Sequence, residues 1–207
     1  MTAQPAERGQ VSRELVVDTA LRLVEENDIS ALTMRRLAAE LGTAVTAIYW
    51  HVGNRDALLD LLVDRLLDDL GVPVKVTGRS PRTRVASIVR AWRQRLWEHP
   101  HLIGFAHERG RTATMFQPMQ AQLAEELAAL GLTGPKAAPA IRALQHHVSS
   151  SVLMQRTAER GPTSGATDPE AWDAESDRQL VDALSTPVDH ESMFDITLDA
   201  LLDHLLP

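Results

Sequence analysis

The chain has 207 residues, 44% of them hydrophobic, with 21 Lys and Arg against 28 Asp and Glu for a net charge of −7, and no cysteine. That length and apolar content fit one domain with an appendage or two intimate ones, and exclude an intrinsically disordered chain. Without cysteine there is no disulfide scaffold, thiol nucleophile or cysteine zinc site, and the acidic balance excludes a bulk-basic nucleic-acid coat while leaving room for a local basic patch.

The opening "MTAQPAERGQVSREL" is polar and lacks an apolar h-region, and no later stretch is long enough to cross a bilayer. A cytoplasmic protein without a membrane partner is expected. Leu15, Val16, Thr19, Ala20, Leu23 and Val24 recur at helical spacing behind Ser12, which predicts a first helix over about 12–27. Thr33 caps "MRRLAAEL", whose Leu37, Ala38 and Leu41 share a face, and Gly42 stops it. "AVTAIYWH" forms a third short helix, ended by Gly53-Asn54. Two short helices joined by a tight turn make a helix-turn-helix.

"RDALLDLLVDRLLDDL" predicts a long connecting helix, apolar over most of its circumference except a stripe of Asp56, Asp60, Asp64 and Asp68. Like charges four residues apart repel, so this stripe is expected to face water. "GVPVKVTGRSP" reads as a linker, and Ser80-Pro81 opens a helix through Val85, Ile88, Val89, Trp92, Leu96 and Trp97. Further helices are expected over "HLIGFAHE", over "TATMFQPMQAQLAEELAAL", across 135–157, from Trp172 to Leu184, and after Pro187. "ERGPTSGATDPE" reads as a loop. The fold class is all-α: a head over 10–55, and a connecting helix plus helical body over 56–207.

The segment "AVTAIYWHVGNR" gathers the only tyrosine, a tryptophan and a histidine. In a helix-turn-helix the second helix lies in the major groove with its first residues at the base edges, which nominates Ala44, Val45, Thr46 and Ala47. Successive residues diverge by about 100° on a helix, so Tyr49, Trp50 and His51 cannot all face the core. With Ile48 and Val52 inward, the three rings form a rim whose O–H and N–H groups reach phosphates. Arg35 and Arg55 would clamp the backbone on either side. Between 31 and 55, Arg35, Arg36 and Arg55 oppose only Glu40, a local balance of three to one on an acidic chain.

The ordered elements Leu32-Thr33, Leu37-Ala38, Leu41-Gly42, Ile48-Tyr49-Trp50-His51-Val52, Asn54 and Leu58-Leu59 closely resemble the DNA-binding head of the tetracycline-repressor (TetR) family of transcriptional regulators. The resemblance implies that Thr33 and Arg35 meet DNA from the second helix. It places Val45, Thr46 and Ala47 at bases, and Tyr49, Trp50, His51 and Arg55 at phosphates. Val45 and Ala47 stand where some relatives carry polar base-readers, so no operator sequence carries over. The second half, through its Trp92 helix running into "EHPHL" and its closing "FDITLDALLDHLL", more loosely resembles the body of the tetracycline-repressor branch. That implies a helical ligand-binding body dimerising through its last helices.

Within the body, Trp92, Trp97, Phe105, Met115, Phe116, Met119 and Met154 suggest a cavity lined by rings and thioethers, with His101, His107 and His147 as polar groups for an unknown small-molecule effector. Adjacent helical histidines such as His146-His147 diverge too far to share an ion, so no metal or cofactor is expected. Apolar seams of Ile141, Leu144, Val148 and Val152, and of Phe194, Leu198, Leu201, Leu202 and Leu205, are expected to pair into a four-helix bundle in a homodimer. Such a dimer sets two recognition helices roughly 34–36 Å apart on double-stranded DNA and calls for a palindromic operator. No phosphate-binding glycine loop, zinc-protease helix or nucleophile elbow occurs, so an enzyme is not expected. Two readings remain: a repressor released by its effector, and a DNA-binding regulator whose body serves only dimerisation or protein contacts.

Overall fold

The computed structural model describes residues 11–27, 29–160, 168, 172 and 177–207. They form ten α-helices and no strand: α1 (Arg13–Asn27), α2 (Met34–Glu40), α3 (Val45–Val52), α4 (Arg55–Gly71), α5 (Pro81–Glu98), α6 (Pro100–Glu108), α7 (Thr112–Ala128), α8 (Ala138–Arg160), α9 (Arg178–Leu184) and α10 (His190–Leu205). The expected helix from Trp172 is shorter: Trp172 lies in a bend, and α9 begins at Arg178 behind the Asp177 cap. The loop expected over 159–170 falls mostly outside the described residues.

Two compact units emerge, one of Met1–Gly71 with His101–Thr112, the other of Val72–Pro100 with Ala113–Pro207. The first unit includes α4 together with α1 to α3.

In the first unit, the inward faces of α1 to α4 supply the core. Val16, Ala20, Leu37, Ile48, Leu58 and Leu62 are each fully buried, and each such side chain adds about 1.5–3 kcal/mol of burial, less for alanine. Ser12 Oγ accepts from the Leu15 N–H at 3.1 Å to start α1. The α4 aspartates face water as expected, Asp56, Asp64 and Asp68 exposed and Asp60 half-buried, and three of the four also carry ion-pair partners. Arg109 donates from Nη1 to Asp60 at 2.8 Å and from Nη2 to Asp56, and Arg111 donates from Nη2 to Asp64 at 2.8 Å. The turn after α6 thus supplies the counter-charges that offset the i,i+4 repulsion, a partnership hidden from the sequence by some fifty intervening residues.

In the second unit, α5 packs against α8 and α10, and α8 against α10. A capping box starts α5: Ser80 Oγ accepts from the Thr83 N–H at 3.2 Å while Thr83 Oγ1 accepts from the Ser80 N–H at 3.0 Å. The preceding linker is held by Gln122, whose side-chain amide accepts from the Val74 N–H at 3.1 Å and donates to its carbonyl at 2.9 Å. Val85, Ile88, Val89 and Trp92 of α5 are completely buried. So are Leu144 and Val148 of α8 and Leu198 of α10, with Val152, Phe194 and Leu202 almost so. This corrects the expected dimer seam. Those six side chains are covered by the chain's own core, and only Ile141, Leu201 and Leu205 of the expected set keep partial exposure. The exposed apolar residues of α8 and α10 are instead Leu153, Met154, Met193 and Ile196.

Candidate nucleic-acid interface

The turn between α2 and α3 is built by Gly42. Its φ of +59° is open to glycine at little cost. There the Thr43 N–H reaches the Ala38 carbonyl at 3.0 Å and the Gly42 N–H reaches that of Ala39 at 3.2 Å. This closing of α2 satisfies its last carbonyls and sends the chain directly into α3. Thr33 Oγ1 caps the other end of α2, accepting from the Arg36 N–H at 3.1 Å. Ala44, at the N-cap of α3, offers no side-chain oxygen, so no side chain occupies the amides at that end. A free helix N-terminus of this kind suits an anion or a base edge.

Ile48 and Val52 are buried, as the pattern required, and their burial turns the rings outward. Tyr49 is 49% exposed and Trp50 83% exposed, the largest exposure of any big apolar side chain among the described residues. His51 is half-buried and meets Trp50 edge to face at 4.8 Å. Ala44 and Thr46 are exposed, and Val45 and Ala47 half covered. The polar tips of Thr46, Tyr49 and Trp50 make no hydrogen bond among the described residues. Arg35 and Arg36 are exposed and form no ion pair there. Glu40, the segment's single acid, is held by Arg22 of α1 at 2.5 Å, and Arg22 also pairs with Glu26 at 3.0 Å. The outer edge of the helix-turn-helix therefore presents rings and guanidinium groups without a competing carboxylate.

Arg55, the expected clamp, is exposed and is also bonded within its own chain. Its Nε donates to the Leu32 carbonyl and its Nη2 to the Ile29 carbonyl, both at 2.9 Å. It fastens the α1–α2 connection.

The expected effector residues are divided between the two units. Trp92, Met115, Phe116 and Met119 meet in the body core at 0–2% exposure, with the Trp92 and Phe116 rings 6.3 Å apart; they are core packing. Trp97 is half-buried on α5. Phe105 and His107 belong to the first unit, Phe105 beneath the Arg109 guanidinium at 4.6 Å and His107 Nδ1 2.9 Å from Thr112 Oγ1. The His101 side chain lies outside those described. His147 and Met154 do line a cavity of about 520 Å³ between α8 and α10, together with Ser150, Ser151, Thr157, Ala158, Val188, His190, Met193, Phe194 and Thr197. There the His147 ring stacks on Phe194 at 4.5 Å, and its Nε2 lies 3.2 Å from the Phe194 carbonyl. Burial pushes this imidazole below its ordinary pKa, with Arg93 and His146 adding to the shift and the carbonyl contact opposing it. On α10 the groove follows His190, Met193, Phe194 and Thr197 at i, i+3, i+4 and i+7, one helical face that the sequence spacing already marks.

Among the described residues no three His, Cys, Asp or Glu side chains are grouped to hold a metal ion, and no helix is long and apolar enough to cross a membrane.

A helix-turn-helix with an open ring-and-arginine edge, in a chain that also has a second helical unit, is the arrangement of helix-turn-helix DNA-binding proteins. Residues 16–62 match the family described as bacterial regulatory proteins, tetR family. The HTH-type transcriptional repressor DrrR1 of Streptomyces coeruleorubidus is 29% identical over 163 residues, 77% of this chain and 60% of that one. The chain thus spans about three-fifths of that relative's length. Tetracycline repressor protein class D of Escherichia coli is 47% identical over 58 residues, 28% of this chain and 27% of that protein. The crystal structure of apo ActR from Streptomyces coelicolor superposes with a TM-score of 0.68 at 28% identity, covering 95% of both chains. Residues 16–62 thus carry the head of the TetR family of bacterial regulators, and the chain as a whole is similar in structure to the TetR family protein ActR.

Proposed function

We propose that this chain is a transcriptional repressor that binds a palindromic operator as a homodimer and leaves it when a small molecule binds the body. The observation that carries the DNA reading is the outward Tyr49–Trp50–His51 rim beside the unpaired Arg35 and Arg36, with Glu40 already neutralised by Arg22. Thr33, Thr46 and the α3 amides complete the contact set, with phosphates taken by the rim and base edges met by residues 44–47. Arg55 acts from behind, by holding the loop that carries Thr33.

The dimer forms through Leu153, Met154, Met193 and Ile196, whose exposure on α8 and α10 leaves an apolar face without cover in one chain. Effector response is supported by kinship with ActR, crystallised with actinorhodin. The α8–α10 groove has the volume of a drug-sized ligand site. The packed Trp92–Phe116 region favours a second reading, a body that only dimerises.

The deciding experiment selects duplexes from a random pool with the full chain, then titrates the winner in rising salt and with candidate aromatic ligands. A palindrome bound with steep salt dependence, and released by a ligand that raises Tm, supports the whole reading. A palindrome that no ligand releases leaves the second one, and no preferred duplex removes both.

A further inference from the structure

The recognition helix reads Val-Thr-Ala-Ile-Tyr-Trp-His-Val and contains no arginine, lysine, asparagine, glutamine, aspartate or glutamate. Those are the side chains that bind guanine or adenine edges bidentately in the major groove or accept from cytosine N4. What the first turn displays is Ala44 and Thr46 in the open, with Val45 and Ala47 half covered at their flanks. Each ends in methyl carbon, and the Thr46 hydroxyl is their single side-chain polar atom. Thr46 and Trp50 stand four residues apart on the outermost ridge, with Ile48 buried behind. A surface of methyl groups gains from a base edge only where that edge is itself apolar. In the major groove of unmodified DNA the C5-methyl of thymine is that feature.

We propose that α3 selects its half-site by packing the methyl groups of Thr46 and Ala47, flanked by Val45, against thymine C5-methyl groups. Discrimination at these pairs comes from the methyl and not from a hydrogen-bond code. This inference rests on the DNA-binding reading, and its test separates the two.

The duplex selected by the full chain is remade with deoxyuridine for thymidine in both half-sites, which removes the methyl and leaves base pairing intact. Affinity is expected to fall about fourfold for each contacted methyl. At the same positions a 5-methylcytosine–guanine pair binds more tightly than an unmodified cytosine–guanine pair. Thr46→Ser keeps the hydroxyl and deletes the methyl of an exposed residue. In that variant the thymine-to-uracil ratio shrinks toward one at the pair beneath residue 46, with the melting curve unchanged. Failure to select any duplex overturns the DNA-binding reading itself. A preferred duplex that binds equally well with uracil throughout, or that has no thymine under α3, overturns the methyl proposal and leaves that reading standing.

Discussion

Arg55 donates from Nε to the carbonyl of Leu32 at 2.9 Å, across 23 residues of sequence. Leu32 is fully buried and immediately precedes the Thr33 cap, so this bond fixes where α2 begins. An arginine expected on phosphate thus sets the posture of the helix-turn-helix. Arg55→Ala is expected to cost about 1–3 kcal/mol, the usual worth of a charged hydrogen bond to a carbonyl. Arg55→Lys restores little of it, because an ammonium lacks the planar fork that reaches Ile29 and Leu32 together. Urea unfolding of the full chain measures both. Unchanged stability with abolished operator binding would return Arg55 to direct phosphate contact.

Arg109 couples the end of α6 to α4 through Asp56 and Asp60, and its own side chain is 27% exposed. Arg109→Ala is expected to lower stability by about 1 kcal/mol, since the carboxylate partners are half-exposed and screened. The loss should shrink in high salt. A double-mutant cycle with Asp60→Asn, read by thermal melts at two ionic strengths, gives the coupling directly, and a coupling of zero would make the contact incidental.

The two faces of α8 and α10 predict opposite phenotypes. Leu144→Ala, in the intrachain core, is expected to lose about 2–5 kcal/mol of stability. Ile196→Asp, on the exposed face at 59%, is expected to give a helical monomer with weakened operator binding. Sedimentation and circular dichroism separate these outcomes. A dimer that survives Ile196→Asp together with Leu153→Asp would place the interface elsewhere.

His147 predicts an acid-side loss of stability. Its folded pKa is lowered, chiefly by burial, so the unfolded chain takes up the proton first as pH falls. The contribution is complete above the ordinary imidazole value near 6.5 and declines as the pH drops below it, levelling once the folded imidazole also protonates. Urea midpoints of the wild type and His147→Gln across pH 5–8 check the sign: the difference between them narrows toward acid.

Much of the helix-turn-helix was legible because its rules are local. Thr33 caps α2, Gly42 takes the positive φ that ends it, and Ile48 and Val52 sit inward at helical spacing with the rings turned out. Each feature depends on neighbours within one or two turns, where sequence distance and spatial distance coincide. The all-helical composition of the body was legible for the same reason, through apolar periodicity.

The tertiary structure decided which apolar stripe of α8 and α10 faces inward. Beside their buried seams, α8 carries Leu153 and Met154 and α10 carries Met193 and Ile196, and hydrophobicity alone does not rank these sets; the packing of α5 against the seam does. It also decided the partners of Arg55, Arg109 and Glu40, because ion pairs form between side chains brought close by folding whatever their separation along the chain. The Trp92–Phe116 cluster was recognisable as apolar and aromatic from its residues. Whether such a cluster encloses space or fills it depends on how volumes interlock in three dimensions, and here they interlock.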